Sequence, residues 1–290
     1  MQRPYRIKFA ALIAVFALIL GTTLFAQSKQ KVLGYTSYGS GPEKVLVLHS
    51  WMGTGRSFDA ARPYLDTKSF TYVFADVRGY GRSLKIRGAY NSREISADAF
   101  RLADELGWKR FHVVAHSMNG MAVQRMALDD WTSGRKRIKS IVAVTPVIAS
   151  GYPADAKTAE FLQNLIHNRK LTMAGFSGLT GGKLNATWAV LKTNQHLATS
   201  RPDAMRGYYD MWLGEDFSDA LKKAQPGMAV RVIGGRNDLP GFQEPVLRRG
   251  FTGLFPRLDF RFVTDAGHFP MEETPALFAK LVEEHLNANR

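Results

Sequence analysis

The sequence predicts an α/β fold, in which a mostly parallel sheet carries helices on both faces. Seven short apolar runs alternate with helical stretches, and several runs are almost continuously apolar between Gly, Pro, Asp or Ser residues. Such runs are typical of parallel strands covered on both faces. With 290 residues, of which 45% are hydrophobic, the chain can also bury a large core. The alternation favours a doubly wound sheet.

The individual elements follow from local periodicity and from the residues that end each run. Strands are predicted at 32–38, 44–48, 71–76, 111–115, 138–144, 229–233 and 259–263. Helices are predicted at 57–65, 92–106, 118–131, 244–255 and 275–286. In the second helix Ile95, Ala99, Leu102 and Leu106 recur at helical spacing, and Gly107 provides a stop.

The alternation breaks between residues 147 and 221. This segment is rich in Gly, Asn, Thr, Met and aromatic residues, with helical patches at 159–166 and 203–212 and no convincing buried strand. We therefore predict a mostly helical insertion at 147–221, flanked by a first core part at 27–146 and a second core part at 222–290.

The first 26 residues have the layout of a secretory signal peptide. Arg3, Arg6 and Lys8 precede an apolar run at 9–20, and Ala26 stands at a plausible cleavage point. Without cleavage the segment approaches the length of a membrane anchor. Both outcomes predict an exported protein, periplasmic or extracellular, and the second adds membrane association through the N-terminal segment.

Charge and cysteine content narrow the possible partners. The net charge is +14, but the basic residues are scattered and their densest clusters, at 135–137 and 248–249, are short. Nucleic-acid binding needs a patterned basic face, so no nucleic-acid partner is predicted. The chain has no cysteine, which excludes disulfides and thiolate metal sites and is compatible with export because a core this large needs no staples.

Residues 115–120, Ala-His-Ser-Met-Asn-Gly, are typical of a nucleophile elbow. They join the predicted strand 111–115 to the predicted helix 118–131. On so sharp a turn the hydroxyl of Ser117 is exposed to a histidine and to backbone N–H groups. The residues two before and two after the serine must be small, and here they are Ala115 and Asn119. Asn tolerates left-handed backbone angles better than most residues.

Three further segments contain the other groups that a serine nucleophile requires, namely oxyanion donors, an orienting acid and a base. The loop at 49–55 contains two glycines, and the N–H groups of Trp51 and Met118 are predicted to form an oxyanion hole. Asp238 follows the strand 229–233 and is suited to orient a histidine. His268 follows the last strand and is suited to carry the proton. The order Ser117, Asp238, His268 is that of an α/β-type hydrolase triad.

Together these segments make residues 32–290 resemble the α/β-hydrolase fold family, in the branch of small esterases, lactonases, cofactor-free haloperoxidases and epoxide hydrolases. The resemblance rests on the loop 49–53, the segment 76–83, the elbow at Ser117, Asp238 and the segment 267–270. It implies a helical cap at 147–221 over the active site and a structural role for 76–83. Ser50 and Asn119 stand where the family usually has glycine, and we expect them to alter oxyanion geometry or reduce activity.

The predicted activity is hydrolysis of a carboxylic ester or lactone through an acyl-enzyme on Ser117, His268 and Asp238. Relatives that use an aspartate nucleophile are a poor match because residue 117 is serine. An apolar substrate pocket is predicted from Trp51, Phe161, Phe176, Trp188 and Trp212. The same triad would also serve an amidase, a C–C hydrolase, an acyltransferase or a perhydrolase. A different class, an exported non-catalytic binding protein on this fold, is the other alternative.

No cofactor and no metal are predicted. His112 and His116 are four residues apart, but they lie on a strand and lack the glutamate of the H-E-x-x-H motif. The expected partner is therefore a small ester-like molecule, and the sequence makes no prediction of oligomeric state.

Overall fold

A computed structural model describes residues 32–290, which form one compact unit. Its sheet has seven strands in the order β1-β3-β2-β4-β5-β6-β7. The strands are β1 (Tyr35–Tyr38), β2 (Glu43–Leu48), β3 (Phe70–Ala75), β4 (Phe111–His116), β5 (Ile138–Val144), β6 (Ala229–Gly235) and β7 (Arg257–Val263). Only the β1–β3 pair is antiparallel among these strands. The predicted mostly parallel sheet is confirmed.

The centre of the sheet is covered on both faces. Successive side chains of a strand point to opposite faces, yet every residue of β4 and of β6 is buried. The apolar runs that predicted these strands therefore reflect burial on two sides. Strand β7 at the edge is only partly buried.

Ten α-helices accompany the described sheet. They are α1 (Ser92–Glu105), α2 (Met118–Thr132), α3 (Ala156–Asn164), α4 (Arg169–Leu179), α5 (Ala186–Thr199), α6 (Pro202–Gly214), α7 (Ser218–Ala224), α8 (Glu244–Phe251), α9 (Pro270–Glu273) and α10 (Pro275–Asn287). Helices α1, α2 and α10 lie within two residues of their predicted bounds. Helix α8 ends four residues early, before Gly253 adopts a φ of +81°.

The predicted helix at 57–65 is wrong. The chain instead forms two short 3₁₀ turns, Gly55–Phe58 and Arg62–Tyr64. Pro63 has no backbone N–H, so it cannot continue a helical hydrogen-bond ladder from the first turn. The first predicted strand also begins three residues late, at Tyr35.

Between β5 and β6 the chain forms helices α3 to α7. An isolated bridge joins Ser200 in this segment to Tyr80. The division of the chain at residues 147 and 221 remains a prediction, and the predicted leader at 1–26 lies outside the described residues. Among the helices of residues 32–290, none is both long and apolar enough to cross a membrane.

Candidate active site

Ser117 occupies the turn between β4 and α2. Its backbone has a φ of +57° and a ψ of −116°, a conformation that costs a non-glycine residue about 1–3 kcal/mol. The surrounding structure holds it there, because Ser117 N donates to Val144 O at 2.9 Å and its carbonyl accepts from Val147 N at 3.0 Å. The sharp turn expected of a nucleophile elbow is therefore present at the centre of the sheet.

Within the elbow, the position with no space for a side chain is Gly120 rather than Asn119. A Cβ on Gly120 would lie 2.3 Å from Pro146 Cβ, so only glycine fits. Asn119 is fully buried, and its side-chain amide Nδ2 donates to the carbonyl of His49 at 2.5 Å. The residue that departs from the family pattern is thus accommodated, and it links the elbow to the loop after β2.

Asp238 and His268 reach Ser117 from the ends of neighbouring strands. Asp238 follows β6, and His268 lies in the loop between β7 and α9. His268 Nδ1 is 2.7 Å from Asp238 Oδ2, and His268 Nε2 is 2.8 Å from Ser117 Oγ. The structure therefore brings together the three side chains proposed from the sequence in one continuous hydrogen-bonded chain.

The protonation pattern follows from the donors around the two groups. Burial raises the pKa of the Asp238 carboxyl and lowers the pKa of the His268 imidazole to about 3. The carboxylate accepts at one oxygen from the Leu239 N–H, at 2.7 Å, and its other oxygen faces the imidazole. We assign a neutral His268 with its proton on Nδ1, because that tautomer leaves Nε2 free to accept the Ser117 proton.

The backbone around His268 is fixed by several side chains. Its carbonyl accepts from His116 Nε2 at 2.8 Å and from Thr145 Oγ1 at 3.0 Å. The carboxylate of Glu273 accepts from the N–H groups of Gly267 and Phe269. Sequence reasoning missed Glu273 and Thr145, since neither belongs to a motif. His116, the elbow residue directly before Ser117, holds the loop of the candidate base.

The loop after β2 is held by the imidazole of His49. His49 Nε2 accepts from Val77 N at 3.1 Å, so Nδ1 carries the proton and donates to Ser50 O at 2.7 Å. Asp76 accepts from Gly55 N and Arg82 N, a structural role in this loop. Trp51 and Met118, whose N–H groups are the predicted oxyanion donors, both line the same cavity as Ser117.

A cavity of about 60 Å³ opens onto Ser117 and His268. Three of the predicted substrate residues, Trp51, Phe161 and Trp212, line it. Phe176 and Trp188 are instead found packed against Phe269, with ring centroids 6.1 and 5.4 Å away. Neither side chain lines the cavity; both pack against Phe269, which does line it. Aromatic content alone does not distinguish the residues that line a cavity from those behind them.

Two wall residues, Tyr152 and Phe242, were missed by the sequence analysis. Their rings lie 4.9 Å apart, and Phe242 lies 4.3 Å from the His268 ring. Phe242 comes four residues after Asp238, and this closeness in sequence to a predicted triad residue is the signal that could have identified it. Within residues 32–290, no cluster of three or more His, Asp or Glu side chains is arranged to hold a metal ion.

Comparison with known proteins identifies the family. A model described as the alpha/beta hydrolase family matches residues 45–281, so the chain belongs to that family. A fluoroacetate dehalogenase of Burkholderia sp. is 40% identical over 96 residues, which are 31% of this chain and 31% of that protein. A soluble epoxide hydrolase of Corynebacterium sp. (strain C12) is 30% identical over 96 residues, 33% of each chain. These matches thus span about a third of the relatives' length.

A solved structure confirms the fold over most of the chain. The bromoperoxidase from Bacillus anthracis superposes with a TM-score of 0.75 at 18% identity, covering 87% of this chain and 94% of that one. The expected α/β-hydrolase fold, with haloperoxidase and epoxide hydrolase relatives, is confirmed. The chain is a member of the α/β-hydrolase superfamily.

Proposed function

We propose that the protein hydrolyses a carboxylic ester or lactone through an acyl-enzyme formed on Ser117. The observation that carries the proposal is the hydrogen-bonded chain from Ser117 Oγ through His268 to Asp238, with links of 2.8 and 2.7 Å. His268 Nε2 takes the hydroxyl proton as Oγ attacks the carbonyl carbon. Asp238 holds the imidazole in the required tautomer and stabilises the imidazolium that forms.

The intermediate collapses when His268 returns the proton to the leaving alkoxide oxygen, which leaves the acyl group on Ser117. His268 then deprotonates a water molecule that attacks the acyl carbon, and the acid is released. The N–H groups of Trp51 and Met118 stabilise the oxyanion in both steps, and each such donor is worth about 2.7–4 kcal/mol. Met118 is the first residue of α2, so the helix dipole adds to its effect.

The serine at position 117 separates this proposal from a dehalogenase-like reaction. A carboxylate nucleophile displaces a leaving group from carbon and gives an ester, whereas a serine hydroxyl activated by histidine is suited to attack a carbonyl. The relative named as a fluoroacetate dehalogenase supports membership in a hydrolase superfamily, and the side chain at residue 117 directs this chain toward acyl transfer.

A fluorophosphonate probe tests the proposal. The mature protein is expected to be labelled and to hydrolyse a short-chain aryl ester. Ser117→Ala is expected to lose both properties while keeping its circular dichroism spectrum. The matched control is Ser133→Ala, at an exposed serine after α2. A folded wild-type protein that neither reacts with the probe nor cleaves esters would favour the non-catalytic binding protein instead.

We also propose that the enzyme acts outside the cytoplasm. Support comes from the basic and apolar layout of residues 1–26, and the absence of cysteine is compatible with export. Fractionation of cells that express the full chain, with and without residues 1–26, tests this. Activity in the cytoplasmic fraction of both strains would contradict it.

A further inference from the structure

Gly175 is a buried glycine in the interior of α4 whose surroundings have room for a side chain. Outside its own helix backbone and its chain neighbours, a Cβ at this position would meet only two atoms of residues 32–290 within 4 Å. They are Leu165 Cδ2 at 3.4 Å and Leu165 Cδ1 at 3.5 Å, which are ordinary van der Waals distances. The φ of Gly175 is not positive, so the helical backbone also accepts a residue with a side chain. Neither packing nor backbone conformation requires glycine at this position.

Other buried glycines near the site are required by their surroundings. A Cβ on Gly120 would lie 2.3 Å from Pro146 Cβ, and a Cβ on Gly267 would lie 2.4 Å from Leu179 O. Gly175 has no such close neighbour among the described residues, yet glycine in a helix interior destabilises the helix relative to alanine. A glycine that weakens its helix without a packing reason points to a use for the empty space beside it.

The space beside Gly175 belongs to the cavity that opens onto Ser117 and His268. Gly175 and Leu165 both line this cavity. Because Gly175 is buried, the open side of its Cα faces an internal space and not bulk solvent. A methyl group at residue 175 would therefore occupy cavity volume next to Leu165, and a ligand that reached this point would contact it.

The lining and the volume of the cavity define what can fill it. Apart from Ser50, Ser117 and His268, the lining residues are apolar or aromatic or are glycine, and none is Asp, Glu, Lys or Arg. A charged group would be desolvated here without an opposite charge, which is costly. The volume of about 60 Å³ holds about four to six water-sized groups by the same measure. A short hydrocarbon chain of similar size fits the cavity best.

Building on the proposed ester hydrolysis, we propose that Gly175 sets the length of a short, uncharged hydrocarbon chain that the substrate places in this cavity. The chain belongs either to the acyl group or to the alcohol of the ester, which share this chemistry. The missing side chain at residue 175 leaves room for the chain, and Leu165 forms the adjoining wall. The substrate class is thereby narrowed from esters in general to esters with a short apolar chain.

Gly175→Ala tests the proposal with one added methyl group. Two kcat/KM ratios are measured: aryl butyrate over aryl acetate for the acyl side, and butyl acetate over methyl acetate for the alcohol side. One ratio is expected to fall about tenfold, since the new methyl group takes the place of one methylene of the chain. The melting temperature is not expected to fall, because alanine favours the helix.

The matched control is Gly214→Ala, at the exposed end of α6, where a Cβ meets no atom of the described residues within 4 Å. It is expected to leave both ratios unchanged. Adding Leu165→Ala to Gly175→Ala removes the side chain that the new methyl group contacts and is expected to restore most of the lowered ratio. The proposal is overturned, while ester hydrolysis stands, if both ratios stay unchanged in folded Gly175→Ala protein or if Leu165→Ala restores nothing.

Binding of methyl butyrate and of butyl acetate to Ser117→Ala protein gives a readout that needs no turnover. Saturation-transfer NMR measures it with and without Gly175→Ala, and we expect the second substitution to weaken binding of at least one ester about tenfold. Weaker binding in a protein whose wild type cleaves no ester supports the length limit and rejects the hydrolase. Equal or absent binding of both esters overturns the length limit.

Discussion

The sheet and the helices between β5 and β6 contribute to the site in different ways. The sheet holds Ser117, Asp238 and His268 at strand ends, where all three are buried and joined by short hydrogen bonds. Helices α3, α4 and α6 contribute residues that line the cavity, and α3 buries none of its residues. Large apolar side chains such as Leu191 and Leu197 are exposed on α5. The comparison teaches that the sheet positions the side chains that carry out the reaction. The shape of the cavity depends instead on helices that are less deeply buried.

The largest expected effect tests the sheet side of this comparison. Asp238→Asn is expected to lower kcat by about 10⁴-fold, because an amide at this position favours the histidine tautomer that cannot accept the Ser117 proton. Steady-state kinetics on an aryl ester measure it. Asp265→Asn, at an exposed carboxylate two residues after β7, is the control. Equal activities in the two variants would remove Asp238 from the triad.

Acid pH should destabilise the protein mainly through histidines outside the helices between β5 and β6. Burial lowers the pKa of six histidines, His49, His112, His116, His196, His268 and His285. Only His196 belongs to the helices between β5 and β6. The unfolded chain binds protons near pH 6.5 while these folded rings stay neutral. Their stability contribution is therefore present above pH 6.5 and is lost as the pH falls toward the lowered pKa values of the folded protein, about 4 for His112, His196 and His285 and about 3 for His268.

Urea unfolding at several pH values measures this loss. The free energy of unfolding is expected to fall by several kcal/mol between pH 6.5 and 5, since each neutral buried ring contributes up to about 1.4 kcal/mol per pH unit. A stability that stays flat over this range would show that the rings accept protons in the folded state.

An ion pair connects the helical layer to the loop of the candidate base. Lys192 Nζ on α5 lies 2.6 Å from Glu272 Oε1 on α9, with side chains only 6% and 14% exposed. Lys192→Met is expected to cost about 3–5 kcal/mol, because it leaves a buried carboxylate without its cation. Chemical unfolding measures it against Lys280→Met, at an exposed lysine. The double variant Lys192→Met, Glu272→Met should recover much of the loss, and no recovery would argue against an unpaired charge as the cause.

The smallest expected effect concerns the link between the elbow and the loop after β2. Asn119→Ala removes the hydrogen bond to the His49 carbonyl. We expect kcat to fall by about tenfold with little change in KM. Without this bond the loop after β2 can move, so the N–H of Trp51 stabilises the oxyanion less well. The control is Asn185→Ala, at an exposed cap of α5. A rise in activity would instead show that Asn119 lowers turnover, as expected from its presence where the family usually has glycine.

Much of the fold was predictable because its signals are local. Two-sided burial leaves a continuous apolar run, which marks central strands such as β4 and β6, and all seven strands were predicted. At residues 57–65 the apolar spacing is typical of a helix, but Pro63 lacks the N–H that a helix needs, and the chain forms two 3₁₀ turns instead.

The sequence by itself determined the sheet, the family and the order of Ser117, Asp238 and His268, because strand ends of a parallel sheet meet at one edge and motifs at those ends must converge. Only the tertiary structure decided which aromatic residues line the cavity beside Ser117. It also decided that Asn119 bonds to the His49 carbonyl, 70 residues away. Such contacts join residues distant in the chain, and they depend on how helices pack, which no local pattern records.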